Sequence, residues 1–330
     1  VTNICSICYS GAEHPRYQPQ ERMFGWGDVF DYFQCKECGC LQIDTIPVDL
    51  ARYYPPEYYS LSATPRSPVG WFLRQLNRRR LQFRLTGKHA AWERFGWRFK
   101  PLAPAVTQLT PYLKPVAGLD VSSRCLDIGC GEHSEWLEAL FQCGFMHLTG
   151  VDPFLKHSGI RRCIRYLNTP LESIDEKFDL ITLHHSLEHI TDQHGTMRQL
   201  RRLLAPDGVC IVRIPLVDSL VWERYGLEWV ELDAPRHLYL HTRNSLVSLA
   251  KAEGMTVRHV LFDSTAFEFA GSEQYRAGIP LIAPNSFWVN PQQSIFSDTQ
   301  MQQFHDQADA ANQAGNGGRA AFYLYKNEPT

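Results

Sequence analysis

Arg124-Cys-Leu-Asp-Ile-Gly-Cys-Gly-Glu-His-Ser134 is the stretch from which the rest of the chain can be read. Cys125, Leu126 and Ile128 make a short apolar run of strand length. Gly129 and Gly131 follow at alternate positions, and a helix is expected beyond them. Asp127 stands at the end of the strand. Glycines spaced this way let the backbone turn tightly and let a ligand approach with no Cβ in its path. Further buried strands are expected at Leu148-Thr-Gly-Val-Asp152 and Phe178-Asp-Leu-Ile-Thr-Leu-His184. A helix is expected from Asp192 to Leu204, and Pro206-Asp-Gly208 is expected to turn into a strand from Val209 to Pro215. Strands alternating with helices predict an α/β fold.

The order Asp127-x-Gly129-x-Gly131 resembles the first motif of class I S-adenosylmethionine-dependent methyltransferases. A dinucleotide site would want a third glycine at position 134 for close helix–strand packing, and Ser134 stands there instead. The later motifs keep the family's order: Phe178-Asp-Leu, Ser186-Leu-Glu-His189, Leu204-Ala-Pro-Asp-Gly208 and Cys210-Ile-Val. The resemblance covers about residues 120–265. It implies a Rossmann-like seven-stranded sheet and S-adenosylmethionine as cofactor. By the same resemblance Asp127, Gly129, Cys130 and Gly131 should face the methionine part. Asp152 should hold the ribose hydroxyls, with Pro153 and Phe154 along one adenine face. Leu171 and Glu172 should lie at the adenine edge, and Leu183 and His184 should line the methionine amino group.

The 330 residues suffice for one large domain and a small one. With 44% hydrophobic and 12% aromatic residues, burial is ample, and a net charge of -2 argues against whole-chain attraction to nucleic acid. No apolar run reaches the roughly 18–20 residues needed to cross a membrane. The first residues show no apolar signal segment, and several cysteines (Cys125, Cys163, Cys210) lie inside apolar strands. Reduced thiols in a cytoplasmic protein are therefore expected.

The remaining cysteines form two knuckles, Cys5-x-x-Cys8 and Cys35-x-x-Cys38. A two-residue gap turns two thiolates toward one ion, and two such turns complete a tetrahedral zinc site. Gly39 follows the second knuckle, and Cys40 is a spare thiol and an alternative ligand. The 26 residues between the knuckles can hold a hairpin around Val29-Phe-Asp-Tyr-Phe-Gln34. So small a module would draw its stability from structural Zn2+. The expected organisation is a zinc ribbon at 1–45, a linker with a basic amphipathic helix at 46–100, and a methyltransferase domain at 101–330 with an insertion at about 266–318.

A zinc ribbon before a methyltransferase domain is similar to the sugar C-methyltransferases that act on nucleotide-linked deoxysugars. The linker Tyr53-Tyr-Pro-Pro-Glu-Tyr-Tyr-Ser60 adds to the likeness and implies a substrate-side role for Tyr58 and Tyr59. Methyltransferases of polysaccharide and secondary-metabolite pathways look closer still, through Ala270-Gly-Ser-Glu-Gln-Tyr275 and Phe322-Tyr-Leu-Tyr-Lys326. The basic segment carries Arg74, Arg78, Arg79, Arg80, Arg84 and Lys88 between Trp71, Phe72, Leu73, Leu76, Leu81 and Phe83. It reads as an amphipathic helix, packed by its apolar side with a solvated basic face; the alternative is a basic face that holds a diphosphate, an RNA backbone or an anionic membrane surface. Ser297-Asp-Thr-Gln300 is a capping-box pattern that should open a helix running to Ala314, and Ala320 to Lys326 should be the last strand. The Pro and Gly content of residues 266–296 suggests irregular structure, serving as a lid or a homodimer contact.

The acceptor is expected beside His185, Glu188, His189 and Asp233-Ala-Pro-Arg-His237. Histidine suits a base near neutral pH, so His185, His189 and His237 are the candidates for proton transfer. Arg236 could bind an anionic group of the substrate or pair with Asp233. The expected reaction is methylation of a small hydroxylated metabolite, a nucleotide-sugar or related intermediate. Two alternatives stay open. His185-x-x-Glu188-His189 resembles the metal site of RNA-end 2′-O-methyltransferases, which implies an RNA-directed enzyme with a metal at His185, Glu188 and His189. The third reading is a non-catalytic zinc-ribbon binding protein with a degenerate methyltransferase domain.

Overall fold

Short antiparallel strands frame the two cysteine knuckles: β1 (Arg16–Tyr17), β2 (Tyr32–Gln34) and β3 (Leu41–Ile43). They are seen in a computed structural model that describes residues 3–55, 70–87 and 103–327. Phe33 stands opposite both Arg16 and Gln42, and β3 pairs on its other side with β10 (Tyr239–Leu240), far along the chain. Three strands this short cannot bury much surface alone, so the distant β10 completes a four-stranded sheet. These strands belong to one of two units in the chain. It comprises the residues up to Pro55 together with His185–Met197 and Arg213–Phe322.

The other unit comprises the described residues after Pro55 and up to His184, with Arg198–Val212 and the end of the chain from Tyr323. Its centre is β4 (Arg124–Ile128), buried after its first residue. β4 runs parallel to β5 (His147–Val151), with Asp127 opposite Gly150, and parallel to β8 (Phe178–His184), with Asp127 opposite Thr182. β7 (Ile164–Leu167) is parallel to β5, and β6 (Gly159–Arg161) folds back on β7 antiparallel. Near-continuous apolar runs such as Leu180 to Leu183 suit strands covered on both faces. With β9 (Leu204–Pro215), β11 (Met255–Phe262) and β12 (Arg319–Lys326), the order is β11-β12-β9-β8-β4-β5-β7-β6; β9 and β12 run through both units. The α/β methyltransferase sheet is thus present with mixed strand directions, and β6 adds an eighth, edge strand to the seven expected.

Three helices of this unit, Trp71–Thr86, Pro104–Leu113 and Glu135–Gln142, pack on one another. The first corrects the expectation of a solvated basic face. Arg80 is buried, whereas Trp71 and Phe72 are exposed. Arg74 lies 3.9 Å over the Phe141 ring and donates to the Phe141 carbonyl, and Asn77 donates to the Gln142 carbonyl. The carbonyls at the end of Glu135–Gln142 carry the partial negative charge of the helix terminus and accept from these donors, that of Phe141 in addition to accepting from the Gly144 amide, and the arginine stems supply apolar cover.

Two further expectations are corrected. β9 already begins at Leu204, directly after the helix Gln193–Leu203. A Cβ at Gly208 would lie 2.8 Å from the Phe178 carbonyl oxygen, so Pro206-Asp-Gly208 hugs the start of β8 instead of turning away from it. In the other unit, the helix Ala266–Arg276 occupies the start of the segment expected to be irregular. Gly271 is not a breaker there. A Cβ on it would meet Val230 at 2.7 Å, so the glycine permits close packing. This helix packs on Asp298–Gln313, which Ser297 and Gln300 cap as a box. Among the described residues no helix is long and apolar enough to cross a membrane.

Candidate functional site

At the C-terminal end of β4 the Asp127 carboxylate accepts hydrogen bonds from Ser134 Oγ at 2.6 Å and Thr182 Oγ1 at 2.8 Å. Burial pushes this carboxyl up to about 6, against the two hydroxyls that favour its charge. Ser134 also accepts from the Leu137 amide as the N-cap of Glu135–Gln142. The position that lacks a third glycine therefore has two tasks that need a hydroxyl. Gly129 and Gly131 have φ of 73° and 60°, the left-handed region that glycine enters freely. Their amides are engaged: Gly129 donates to the Val151 carbonyl at 2.8 Å, and Gly131 to Asp152 Oδ2 at 2.9 Å. Both amides are thus spent within the chain, and the two glycines serve the turn by their backbone conformation.

Asp152, one residue beyond β5, is held at both oxygens, since Phe154 N donates to Oδ1 at 2.8 Å. The carboxylate is fixed in place and keeps further lone pairs for hydroxyl donors. Pro153 and Phe154 are exposed, Phe154 at 77%. Cys130 points inward, and a Cβ at Gly150 would lie 2.7 Å from its sulfur, which explains a glycine inside a buried strand. Leu171 and Glu172 sit in a 3-10 turn whose Leu171 carbonyl accepts from Arg202 at 2.8 Å. Leu183 is wholly buried, so its backbone is what it can present. The His184 ring lies 4.5 Å from Trp136 and 6.0 Å from Tyr112. Ser134, Thr182 and Trp136 were missed in the sequence because a hydroxyl or an indole carries no signal until its partner is known.

The other unit holds the cluster of histidines. His185 has φ of 51°, a conformation that a non-glycine residue adopts at a cost, and its Nδ1 stands 3.3 Å from Glu188 Oε1. Glu188 is wholly buried; burial pushes its carboxyl up to about 8. His189 Nδ1 lies 2.8 Å from the Arg236 carbonyl and 3.2 Å from Tyr54 Oη. His237 Nδ1 lies 2.7 Å from the Glu231 carbonyl. A carbonyl only accepts, so each Nδ1 carries the proton and each Nε2 carries a lone pair. Burial, with His237 beside it, holds His189 down to about 3, and burial lowers His237 too. Glu188, His189 and His237 each offer a ligand atom within 4.8 Å of the others. The expected triplet was His185, Glu188 and His189; the folded chain groups His237 with Glu188 and His189 instead, and His185 flanks Glu188.

Arg236 is buried, with Nη2 at 2.6 Å from Asp233 and 2.8 Å from Glu21, and Nη1 at 3.2 Å from the Tyr53 carbonyl. Burial would raise Asp233, but Arg236 holds it below its ordinary value. Of the two roles weighed for Arg236, this geometry favours pairing within the protein over a substrate anion. Tyr58 and Tyr59 lie outside the described residues.

In the same unit Cys5, Cys8, Cys35 and Cys38 bring their sulfurs within 4.8 Å of one another. Cys5–Cys38 is 3.6 Å and Cys8–Cys35 is 3.5 Å. Four ligands on a Zn–S bond of about 2.3 Å stand about 3.8 Å apart, so the donor set fits one zinc ion. The knuckles are alike: Tyr9 and Gly39 follow them with φ of 59° and 77°. Gln42 Nε2 donates to Cys5 Sγ at 2.9 Å, an outer contact suited to a thiolate. Cys40, the alternative ligand, falls outside the group and directs its thiol to the Leu41 carbonyl.

Residues 95–260 match the family described as a methyltransferase domain. The ubiquinone biosynthesis O-methyltransferase of Haemophilus ducreyi is 30% identical over 137 residues, covering 37% of this chain and 57% of that protein. Its namesake in Rhodopseudomonas palustris is 25% identical over 167 residues, covering 43% and 64%. The chain thus spans less than two thirds of the length of these relatives. Among solved structures, the cyclopropane synthase MmaA2 from Mycobacterium tuberculosis aligns at 19% identity and a TM-score of 0.42, over 67% of this chain and 84% of that one.

Proposed function

We propose, from the premise that the chain belongs to the methyltransferase-domain family, that it transfers a methyl group from S-adenosylmethionine to a hydroxyl oxygen of a small metabolite, a nucleotide-sugar or related biosynthetic intermediate. The observation that carries this reading is the turn after β4, where Gly129 and Gly131 carry the chain at positive φ beside two fixed carboxylates, Asp127 and Asp152. S-adenosylmethionine supplies an electrophilic methyl group on a sulfonium and leaves as a neutral thioether. The chain's part is to orient donor and acceptor and to take the acceptor's proton. Asp152 accepts the ribose hydroxyls, and the exposed Phe154 offers a face for the adenine. Leu171, Glu172 and the backbone at Leu183 and His184 complete the cofactor residues.

His185 takes the acceptor proton. It directly follows β8 in the chain, where ligands gather in open α/β sheets, and Glu188 beside its Nδ1 supports the imidazolium that forms. His189 and His237 serve the acceptor side with it, and Tyr58 and Tyr59 are retained as substrate residues. Oxygen as the methylated atom is supported by the O-methyltransferase relatives. The four cysteines hold a structural zinc ion, which organises the ribbon and takes no part in transfer. The test is incubation with methyl-labelled cofactor and a panel of nucleotide-sugars, free polyols and phenols, with products read by mass spectrometry and NMR. A methyl ether on one of these acceptors is expected. Label incorporated only into RNA, or into no acceptor, contradicts the reading.

A further inference from the structure

We propose that Glu188, His189 and His237 form a binding site for one divalent transition-metal ion, separate from the four-cysteine site. The ligand atoms are within 4.8 Å of one another, and bonds of about 2.1 Å would close on an ion with side-chain shifts of about an ångström. Both imidazoles are held in the tautomer that metal binding requires. Each gives its Nδ1 proton to a backbone carbonyl, of Arg236 and of Glu231, which leaves the Nε2 lone pair for the ion. Glu188 is wholly buried, and neither carboxylate oxygen makes a hydrogen bond among the described residues, although His185 Nδ1 stands 3.3 Å from Oε1. A buried carboxylate without donors is costly, and an ion satisfies it.

The frame around the ligands is rigid. Leu238 N donates to the Glu188 carbonyl at 2.8 Å, tying the two ligand-bearing segments together, and Tyr32 Oη donates to the His237 carbonyl at 2.8 Å. The buried cation alongside, Arg236, is matched by both Asp233 and Glu21, so its charge does not oppose a second cation. Two neutral imidazoles and one carboxylate suit zinc, iron(II), cobalt(II) or manganese(II), and leave coordination positions for an oxygen ligand. On the methyl-transfer reading, that ligand is the acceptor hydroxyl. The ion would acidify it, and the proton would pass to His185.

The test uses the full chain, stripped with a chelator and titrated with Co2+ alone. Two ions per chain are expected, one with intense thiolate absorption and one with histidine-nitrogen modulation in pulsed electron paramagnetic resonance. Glu188→Gln and His237→Gln should each take up one ion with the thiolate absorption intact, and Cys35→Ser should keep the histidine-bound ion. Uptake of only a thiolate-bound ion by the wild type overturns the proposal, as does a second ion without histidine nitrogen or one retained in both variants. Should a variant lose its fold, by circular dichroism, the wild-type count and nitrogen signal still decide. The count needs neither cofactor nor acceptor, so failure of the methyl-transfer reading would show separately, as absence of turnover with the ion bound.

Discussion

His189 and His237 stand with ring centroids 4.7 Å apart at an interplanar angle of 66°, each anchored through Nδ1 to a backbone carbonyl. Both are pushed toward the neutral form by burial. Two neutral imidazoles with fixed tautomers are poor proton carriers and good lone-pair donors. On the proposed reading His185, whose Nδ1 stands 3.3 Å from Glu188 Oε1, is the histidine that takes the acceptor proton.

His185→Ala should therefore cut turnover by about 10²–10⁴, the usual range for a general base, with cofactor affinity almost unchanged. Single-turnover kinetics beside a cofactor titration would show the split. Full activity in the variant would move the base elsewhere.

The cysteine cluster should release one zinc per chain when its thiols are blocked with a mercurial reagent. Cys35→Ser should release almost none and should melt at lower temperature, because the ion stabilises a module with little core of its own. Wild-type protein that yields no zinc on thiol blocking would remove the structural ion from the account.

Acid should destabilise the fold partly through His241. Its Nδ1 lies 2.9 Å from Ser245 Oγ and its Nε2 3.1 Å from Gln193 Oε1, and burial lowers it from 6.5 to about 3. Between those values the unfolded chain binds a proton that the folded chain refuses. The stability is whole above pH 6.5 and falls as pH drops toward 3. Urea melts at pH 7, 5.5 and 4.5 should show a smaller loss for His241→Gln, by at most about 1.4 kcal/mol per pH unit below 6.5. Equal losses in variant and wild type would show that His241 does not carry the effect.

The strand, turn and helix from Arg124 to Gln142 were legible because their signals are local: an apolar run and paired glycines. The cysteine knuckles were legible for the same reason. The partnership of Glu188 and His189 with His237 was not. It depends on a return of the chain that pairs β10 with β3, and no spacing rule reaches that far. Arg80 and Arg236 were hidden by their charge. Only the fold shows Arg80 buried against its neighbours and Arg236 neutralised by two carboxylates. The helix at the start of residues 266–296 was hidden by the Pro and Gly content of that segment, because a glycine needed for close packing, such as Gly271, is not told from a loop glycine by composition.

The most direct test is isothermal titration of S-adenosylmethionine into the wild-type protein and Asp152→Ala. The wild type should bind one cofactor per chain. Loss of the Asp152 carboxylate should weaken binding by about 1.5–3 kcal/mol, the range for a charge-assisted hydrogen bond, with circular dichroism unchanged. Gly129→Val, which fills the space after β4, should abolish binding. No heat of binding in the wild type, or equal affinity in all three proteins, would contradict the account.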